Sequence, residues 1–104
     1  RYNVTNTFDN NANPSRPGWT TLEMGSVAPV NTIIEAKLFE IKQCTTDPVL
    51  ICTARNRSMD SPCARCTFPN TQVDFNTKLF YVEVTLTRPV NSILQPRMFT
   101  LRIF

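Results

Sequence analysis

Four cysteines lie close together in the middle of the chain, at positions 44, 52, 63 and 66. An even number of cysteines in a small domain is typical of a disulfide framework that supports a thin core. Four cysteines allow three pairings. One makes two local links, Cys44–Cys52 and Cys63–Cys66, and the two longer arrangements would tie a strand at 48–54 to the segment that follows it. We therefore predict a disulfide-stapled domain whose connectivity the sequence leaves open.

The same cysteines offer two rival chemistries, a zinc site and a redox pair. Structural zinc sites usually combine two short Cys or Cys/His hooks, whereas this chain has one such hook, Cys63-Ala64-Arg65-Cys66, and no histidine. A redox CxxC normally lies at the start of a helix, but prolines flank this one on both sides. We expect no metal and no cofactor. A thiol–disulfide oxidoreductase using Cys63 and Cys66 remains an alternative function.

Two glycosylation sequons indicate an extracellular location, which a disulfide framework also favours. They are Asn3-Val4-Thr5 and Asn56-Arg57-Ser58, and neither has proline in the middle position. The sequence begins at Arg1, as expected for a processed form or for a piece of a longer chain. Together with the clustered cysteines, the sequons predict a secreted or extracellular glycoprotein with Asn3 and Asn56 as glycan acceptors.

Length and charge set limits on the partners. The 104 residues are enough for one domain, spanning 1–104, and not for two. The net charge is +3, and the basic residues are mostly scattered, whereas nucleic-acid binding favours a dense basic stripe. No apolar run approaches the roughly 18 residues of a membrane span. We expect neither a nucleic-acid partner nor a membrane span.

Few residues in the chain suit catalysis. Without histidine, Ser-His-Asp and Cys-His nucleophilic sites cannot form. Two glycines are too few for a phosphate-binding loop. The carboxylates are best interpreted as solvated charges. The sequence therefore predicts a protein that is not an enzyme and has no catalytic residues.

Alternation of apolar and polar residues predicts several strands. The clearest are 77–87 and 97–104, which we expect to be antiparallel neighbours. The apolar run in 48–54 predicts a buried strand, and Tyr2–Phe8 predicts a first one. Their core faces are predicted to carry Phe80, Val82, Val84 and Leu86 in 77–87, and Phe99, Leu101 and Ile103 in 97–104. The pattern indicates a mainly β fold, an antiparallel β-sandwich or a curled sheet.

The segment from 33 to 43 is ambiguous. Read as a strand, its apolar alternation breaks at Phe39, which would require a bulge. Read as a helix, Ile34, Leu38 and Ile41 follow the i, i+4, i+7 spacing. The helical spacing uses more of the apolar residues. We therefore predict one short helix at about 33–43 and keep the bulged strand as the alternative.

Three features are candidates for binding. The first is a predicted loop from Arg55 to Arg65, which also carries Arg57 and would offer a basic contact to an acidic protein or a sulfated glycan. The second is Trp19, interpreted either as an exposed anchor or as a core residue. The third is the pair of terminal strands, Tyr2–Phe8 and Met98–Phe104, interpreted either as ordinary edges or as strands that complete a sheet in a neighbouring molecule.

These features predict a secreted or cell-surface, non-catalytic recognition or adhesion domain. Loops on its stapled β scaffold would bind an extracellular protein or a glycan. Besides the oxidoreductase, a structural subunit is an alternative, in which the terminal strands join copies into a homo-oligomer or a filament.

Overall fold

The computed structural model describes residues 2–4, 17–29, 31–57, 62–88 and 96–104. Within these ranges the chain forms seven strands and no helix. In chain order they are β1 (Tyr2–Val4), β2 (Thr21–Val27), β3 (Ile33–Lys42), β4 (Val49–Arg57), β5 (Cys63–Thr67), β6 (Lys78–Thr87) and β7 (Arg97–Ile103). All paired strands are antiparallel. The prediction of a mainly β, antiparallel fold is confirmed.

The strands form two sheets that face each other. A four-stranded sheet has the order β1-β6-β3-β4, and a three-stranded sheet has the order β5-β2-β7. A disulfide between Cys52 of β4 and Cys66 of β5 joins the sheets along one side. On the other side β1 and β7 are the edge strands of their sheets. The molecule is thus a β-sandwich stapled along one side, as the prediction of a disulfide-stapled β fold requires.

The core lies between the inner faces of the two sheets. Successive side chains of a strand point to opposite faces, and β3 alternates between buried and half-buried residues from Ile33 to Ile41. The three-stranded sheet supplies Leu22 and Met24 from β2, both fully buried. The other apolar members of the core are Ala28, Ile34, Ala36, Leu38, Ala54, Ala64, Phe68, Val73, Phe80 and Val82.

The predicted helix at 33–43 is wrong, because these residues form β3, a central strand of the four-stranded sheet. β3 pairs with β6 along its whole length and with β4 on its other side. The register between β3 and β4 shifts after Leu38, and Ile51 of β4 is the extra residue at that point. The alternative interpretation as a strand therefore matches the structure, but the bulge lies in β4, and β3 itself keeps a regular alternation.

Phe39 and Glu40 explain why the strand pattern of this segment is obscured. Phe39 lies on the outer face, where its ring stacks on Tyr81 with 5.1 Å between the centroids. Glu40 lies on the inner face, where its Oε2 is 2.9 Å from Lys78 Nζ and accepts a hydrogen bond from Gln72 Nε2 at 2.9 Å. An outward aromatic followed by an inward carboxylate breaks the apolar alternation by which strands are recognised.

The last strand differs from its prediction in two ways. β7 pairs with β2, whereas β6 belongs to the other sheet, so the two strands are not neighbours. The register between β2 and β7 shifts at Phe99, which is therefore the extra residue of a bulge. The bulge leaves Phe99 64 % exposed, while Met98, Leu101 and Ile103 pack against the core. Placing Phe99 on the core face was therefore wrong.

The middle of the chain also contains more strand than the sequence predicts. β4 continues to Arg57 and β5 begins at Cys63, so both strands extend into the predicted loop from Arg55 to Arg65. The start of the apolar run is not buried, since Val49 and Leu50 are 53 % and 48 % exposed.

Gly25 lies where β2 passes close to the side chain of Thr100 on β7. A Cβ added to Gly25 would overlap Oγ1 of Thr100. This close approach lies at the register shift between the two strands, next to the bulge at Phe99. Gly25 therefore leaves room for the Thr100 side chain in the position it adopts.

Candidate functional site

A groove of about 530 Å³ opens on the side of the sandwich opposite the disulfide. Its walls come from β1, from β7 and from the segment that precedes β2, with one residue from β6. The lining residues are Tyr2, Asn3, Val4, Trp19, Val82, Leu101, Arg102 and Ile103. Most of this surface is apolar, and Arg102 supplies a charge. Such a concave, largely apolar surface with a few polar groups is typical of a binding site.

Trp19 has contacts with both the groove and the core. Its ring meets Phe75 edge to face at 6.1 Å between centroids, and Phe75 meets Phe80 in the same manner at 5.4 Å. Trp19 is half-buried and packs against the core cluster. Trp19 therefore packs against the core, as one of its two interpretations predicted, and part of its side chain lines the groove.

A row of three charged side chains crosses the outer face of the three-stranded sheet. The register places Arg65, Glu23 and Arg102 side by side on β5, β2 and β7. Arg65 Nε donates to Glu23 Oε2 at 2.5 Å, and Arg102 Nε donates to Oε1 at 2.8 Å. The Arg102 guanidinium also lies 4.4 Å from the centre of the Phe104 ring. These contacts hold Arg102 at the rim of the groove.

The hydrogen bonds from Arg102 and then Arg65 lower the pKa of Glu23 below its usual value of 4.5. A carboxylate whose pKa is lower in the folded than in the unfolded chain stabilises the fold above the unfolded pKa. That contribution disappears as the pH falls through the folded pKa. The Arg65–Glu23–Arg102 row is therefore a source of acid sensitivity.

We predict that Glu23→Gln lowers the free energy of unfolding at neutral pH. The difference from the wild type should shrink as the pH falls below about 4.5, because the wild-type carboxylate then becomes protonated as well. Urea unfolding at pH 7 and at pH 3 measures both values. Glu83→Gln, on the exposed outer face of β6, is the control and should have little effect at pH 7. A difference that does not vary with pH would contradict this role of Glu23.

The structure separates the three arginines that were predicted to form one basic contact. Arg55 and Arg57 are at the end of β4, opposite Glu35 and Ile33 on the outer face of the four-stranded sheet. Arg55 Nη2 is 3.1 Å from Glu35 Oε2. Arg65 lies on the outer face of the other sheet. The two sites face opposite directions, so these arginines do not make a single surface.

Two of the four cysteines form a disulfide, and the other two are exposed. Cys52 and Cys66 form the disulfide that joins the sheets, with Cα atoms 5.9 Å apart. Cys44 is exposed in the turn after β3 and has a positive φ of 61°. Cys63 is exposed at the start of β5. Because Cys66 is bonded to Cys52, this structure does not contain the Cys63–Cys66 disulfide of the oxidoreductase hypothesis.

The two sequons occupy different environments. Asn3 is exposed on β1, at the rim of the groove. Asn56 is 1 % exposed, and its Nδ2 donates to the main-chain oxygen of Ser26 at 3.1 Å and to Ser26 Oγ at 2.8 Å. Nδ2 is the atom to which an N-linked glycan attaches. A glycan on Asn56 is therefore incompatible with this arrangement, and Asn3 is the acceptor that the fold leaves accessible.

The groove was not predicted from the sequence, because it is assembled from distant segments. Tyr2, Trp19 and Leu101 are far apart in the chain, and no spacing marks them as neighbours. The terminal strands and Trp19 were candidates as separate features. The structure brings them together around one cavity.

Comparisons with known proteins provide no function to transfer. The chain matches no protein-family model, no curated protein and no solved structure. Within the described ranges, no three His, Cys, Asp or Glu residues form a group suited to a metal ion. No helix long and apolar enough to cross a membrane is found in that part of the chain.

Proposed function

We propose that this protein is a secreted or cell-surface, non-catalytic recognition domain that binds a protein partner in the groove between β1 and β7. The groove replaces the loops as the expected binding surface. The observation that supports it most is the grouping of Trp19, Tyr2 and Arg102 around one cavity. Trp, Tyr and Arg are the residue types most enriched at binding hot spots.

The apolar lining favours a protein over a glycan. Val4, Leu101 and Ile103 expose side chains that pack against the core from the groove side. Apolar side chains of a partner would be removed from water there, which gains roughly 25 cal/mol for each Å² buried. Sugars offer mostly hydroxyl groups, and Asn3 and Arg102 are the principal polar side chains lining the groove.

Mutation of the groove tests this proposal. Tyr2→Arg places a charge at the groove rim on a residue that is 50 % exposed, so the fold should tolerate it. Leu79→Arg is the matched control, because Leu79 is 63 % exposed and lies outside the groove. Partners captured from extracellular proteins of the natural source should bind Tyr2→Arg at least about tenfold more weakly, a loss of about 1.4 kcal/mol. Leu79→Arg should bind like the wild type.

Trp19 offers a second readout of the same binding event. It is the only tryptophan in the chain and lines the groove, so a partner that enters should change its fluorescence. A partner that binds Tyr2→Arg as tightly as the wild type and leaves Trp19 emission unchanged would place the binding surface elsewhere and overturn the proposal.

The proposed extracellular location rests on the inter-sheet disulfide and on the accessible sequon. Disulfides persist mainly in oxidising compartments. We predict that protein from its natural source carries a glycan at Asn3 and none at Asn56, because only Asn3 is exposed in the fold. Peptide mapping by mass spectrometry under non-reducing conditions measures both sites together with the Cys52–Cys66 link. A glycan on Asn56 would contradict the arrangement around Ser26.

Self-assembly through the terminal strands is a second candidate function. The observation in its favour is that β1 and β7 are both edge strands, and edge strands pair readily with other chains. Assembly predicts that the sedimentation coefficient rises with protein concentration and that removal of residues 1–8 stops the rise. A monomer at all concentrations would eliminate this candidate.

A further inference from the structure

We propose that the groove accepts an extended segment of the partner protein, which adds to β7 as a fourth strand of the three-stranded sheet and carries acidic side chains on its outer face. This inference rests on the proposed function and specifies the chemistry of the partner. Three observations support it: the direction of the backbone groups of β7, the unequal number of strands in the two sheets, and the charge along β7.

The hydrogen bonds between β2 and β7 fix which backbone groups face the open edge. The Phe104 N–H donates to the Thr21 oxygen at 2.9 Å, and the Thr21 N–H donates to the Phe104 oxygen at 2.8 Å. Bonded and non-bonded pairs alternate along an antiparallel ladder. Arg102 therefore bonds to β2, as Phe104 does. The N–H and C=O groups of Leu101 and Ile103 point away from β2, toward the groove.

The sheets have unequal numbers of strands, and the groove lies where the smaller sheet ends. β1 extends the four-stranded sheet beyond β6, while in the described residues the three-stranded sheet ends at β7. The inner side of β1, with Tyr2 and Val4, thus faces a position that no described strand occupies. A strand added beside β7 would place alternate side chains on Val4, Trp19 and the other lining residues. Strand addition to a sheet edge is a common mode of peptide recognition.

The bulge in β7 defines how much of the edge can accept a strand. Bulges twist an edge and interrupt regular pairing. The extra residue is Phe99, so regular geometry extends from Thr100 to Ile103. Leu101 and Ile103 lie within this stretch, and each offers one N–H and one C=O. The accepting part of the edge therefore coincides with the part that lines the groove.

The charge of β7 favours acidic residues on the added strand. Arg97 and Arg102 lie on the outer face of the sheet, and the chain has a net charge of +3. Glu23 accepts from Arg102 through Nε, and the guanidinium stays largely exposed. Opposite charges on directly paired strand residues are stabilising, and like charges are destabilising. A Glu or Asp on the added strand beside Arg102 fits this edge, and a Lys does not.

Amide hydrogen exchange tests this inference on the ¹⁵N-labelled protein. The probe is a capped synthetic hexapeptide that alternates valine and glutamate. At ten times its Kd, exchange at Leu101 and Ile103 should slow by about tenfold, because a bound strand covers their N–H groups most of the time. Thr100 and Arg102 are internal controls, since their N–H groups point toward β2 and should change much less. A peptide that alternates valine and lysine should bind at least about tenfold more weakly.

The outcomes separate this inference from the proposed function. If the peptide shifts Trp19 emission but leaves exchange at Leu101 and Ile103 unchanged, the groove binds without strand addition and the inference is wrong. If the valine–lysine peptide binds equally well, the acidic preference is wrong. If exchange at Leu101 and Ile103 slows as the protein concentration rises, without any peptide, the occupant is a second copy of the chain. That result would overturn the inference that a separate partner binds there. If natural partners bind Tyr2→Arg as tightly as the wild type, the proposed function itself fails.

Discussion

Replacing both Cys52 and Cys66 by alanine should lower the free energy of unfolding by about 3 kcal/mol. The disulfide closes a loop with a sequence separation of 14 residues. The closed loop lowers the conformational entropy of the unfolded chain and so stabilises the folded one. It also joins the two sheets along the side opposite the groove. For a domain of this size, such a loss is a large part of the net stability. Urea unfolding of the double variant, compared with the wild type, measures the effect.

Cys44→Ser provides the control for this prediction. Cys44 is exposed and lies outside the bridge, so its replacement should change the unfolding free energy by less than about 0.5 kcal/mol. Reduction of the wild type should reproduce the loss seen in the double variant. If Cys44→Ser destabilises the chain as strongly as the double variant, Cys44 takes part in a cross-link and the pairing described here is wrong.

Leu38→Ala should cost about 3 kcal/mol, because Leu38 is fully buried at the centre of β3. Truncation of a buried leucine loses its transfer free energy and leaves a cavity between the sheets. Ile41→Ala is the control in the same strand. Ile41 is half-buried on the outer face, so its truncation should cost about 1 kcal/mol or less. Thermal or urea unfolding of the two variants gives the comparison.

The same pair of variants distinguishes a strand from a helix at 33–43. A helix would place Leu38 and Ile41 on one buried stripe, and both truncations would then be costly. The strand places them on opposite faces. Equal losses of several kcal/mol would therefore contradict β3 as described.

The fold class was predictable because β6 and β7 are long and β4 has a strong apolar run. Alternation in these segments reflects the pleat of a strand directly. Prediction failed at Phe39 and Glu40, where tertiary contacts reverse the expected faces. Glu40 is tolerated inside because Lys78 satisfies its carboxylate. Such a partner cannot be recognised without knowing which strands are neighbours.

The sequence also did not indicate which strands belong to the same sheet. Adjacent strands in the chain are often neighbours in space, and this made β6 and β7 the natural pair. In the structure only the β3–β4 connection stays within one sheet, and the others cross the sandwich. Nothing in the residues of β7 indicates that β2 is its partner. The one related signal is Gly25 of β2, whose missing side chain leaves room for Thr100.

The candidate site was predicted only in parts. Trp19 and the terminal strands were named as separate features, and the structure unites them in the groove. The arginines were grouped by closeness in sequence, but β4 and β5 carry Arg55 and Arg65 onto opposite faces of the sandwich. A run of residues that crosses from one sheet to the other cannot form a single outer surface. Closeness in sequence was therefore a poor guide there.

If the protein is secreted, as proposed, the hydrogen bonds from Asn56 to Ser26 require β4 to dock on β2 before a glycan is attached to Asn56. In that case the Asn56 sequon would be accessible to modification only until β4 docks on β2. A sugar attached at that stage would keep Asn56 from Ser26 and leave the chain unable to close its two sheets. Folding of β4 and sugar transfer to Asn56 thus compete in time. The yield of secreted protein should rise when Asn56 is spared modification, for example by Ser58→Ala, which removes the sequon and retains the amide.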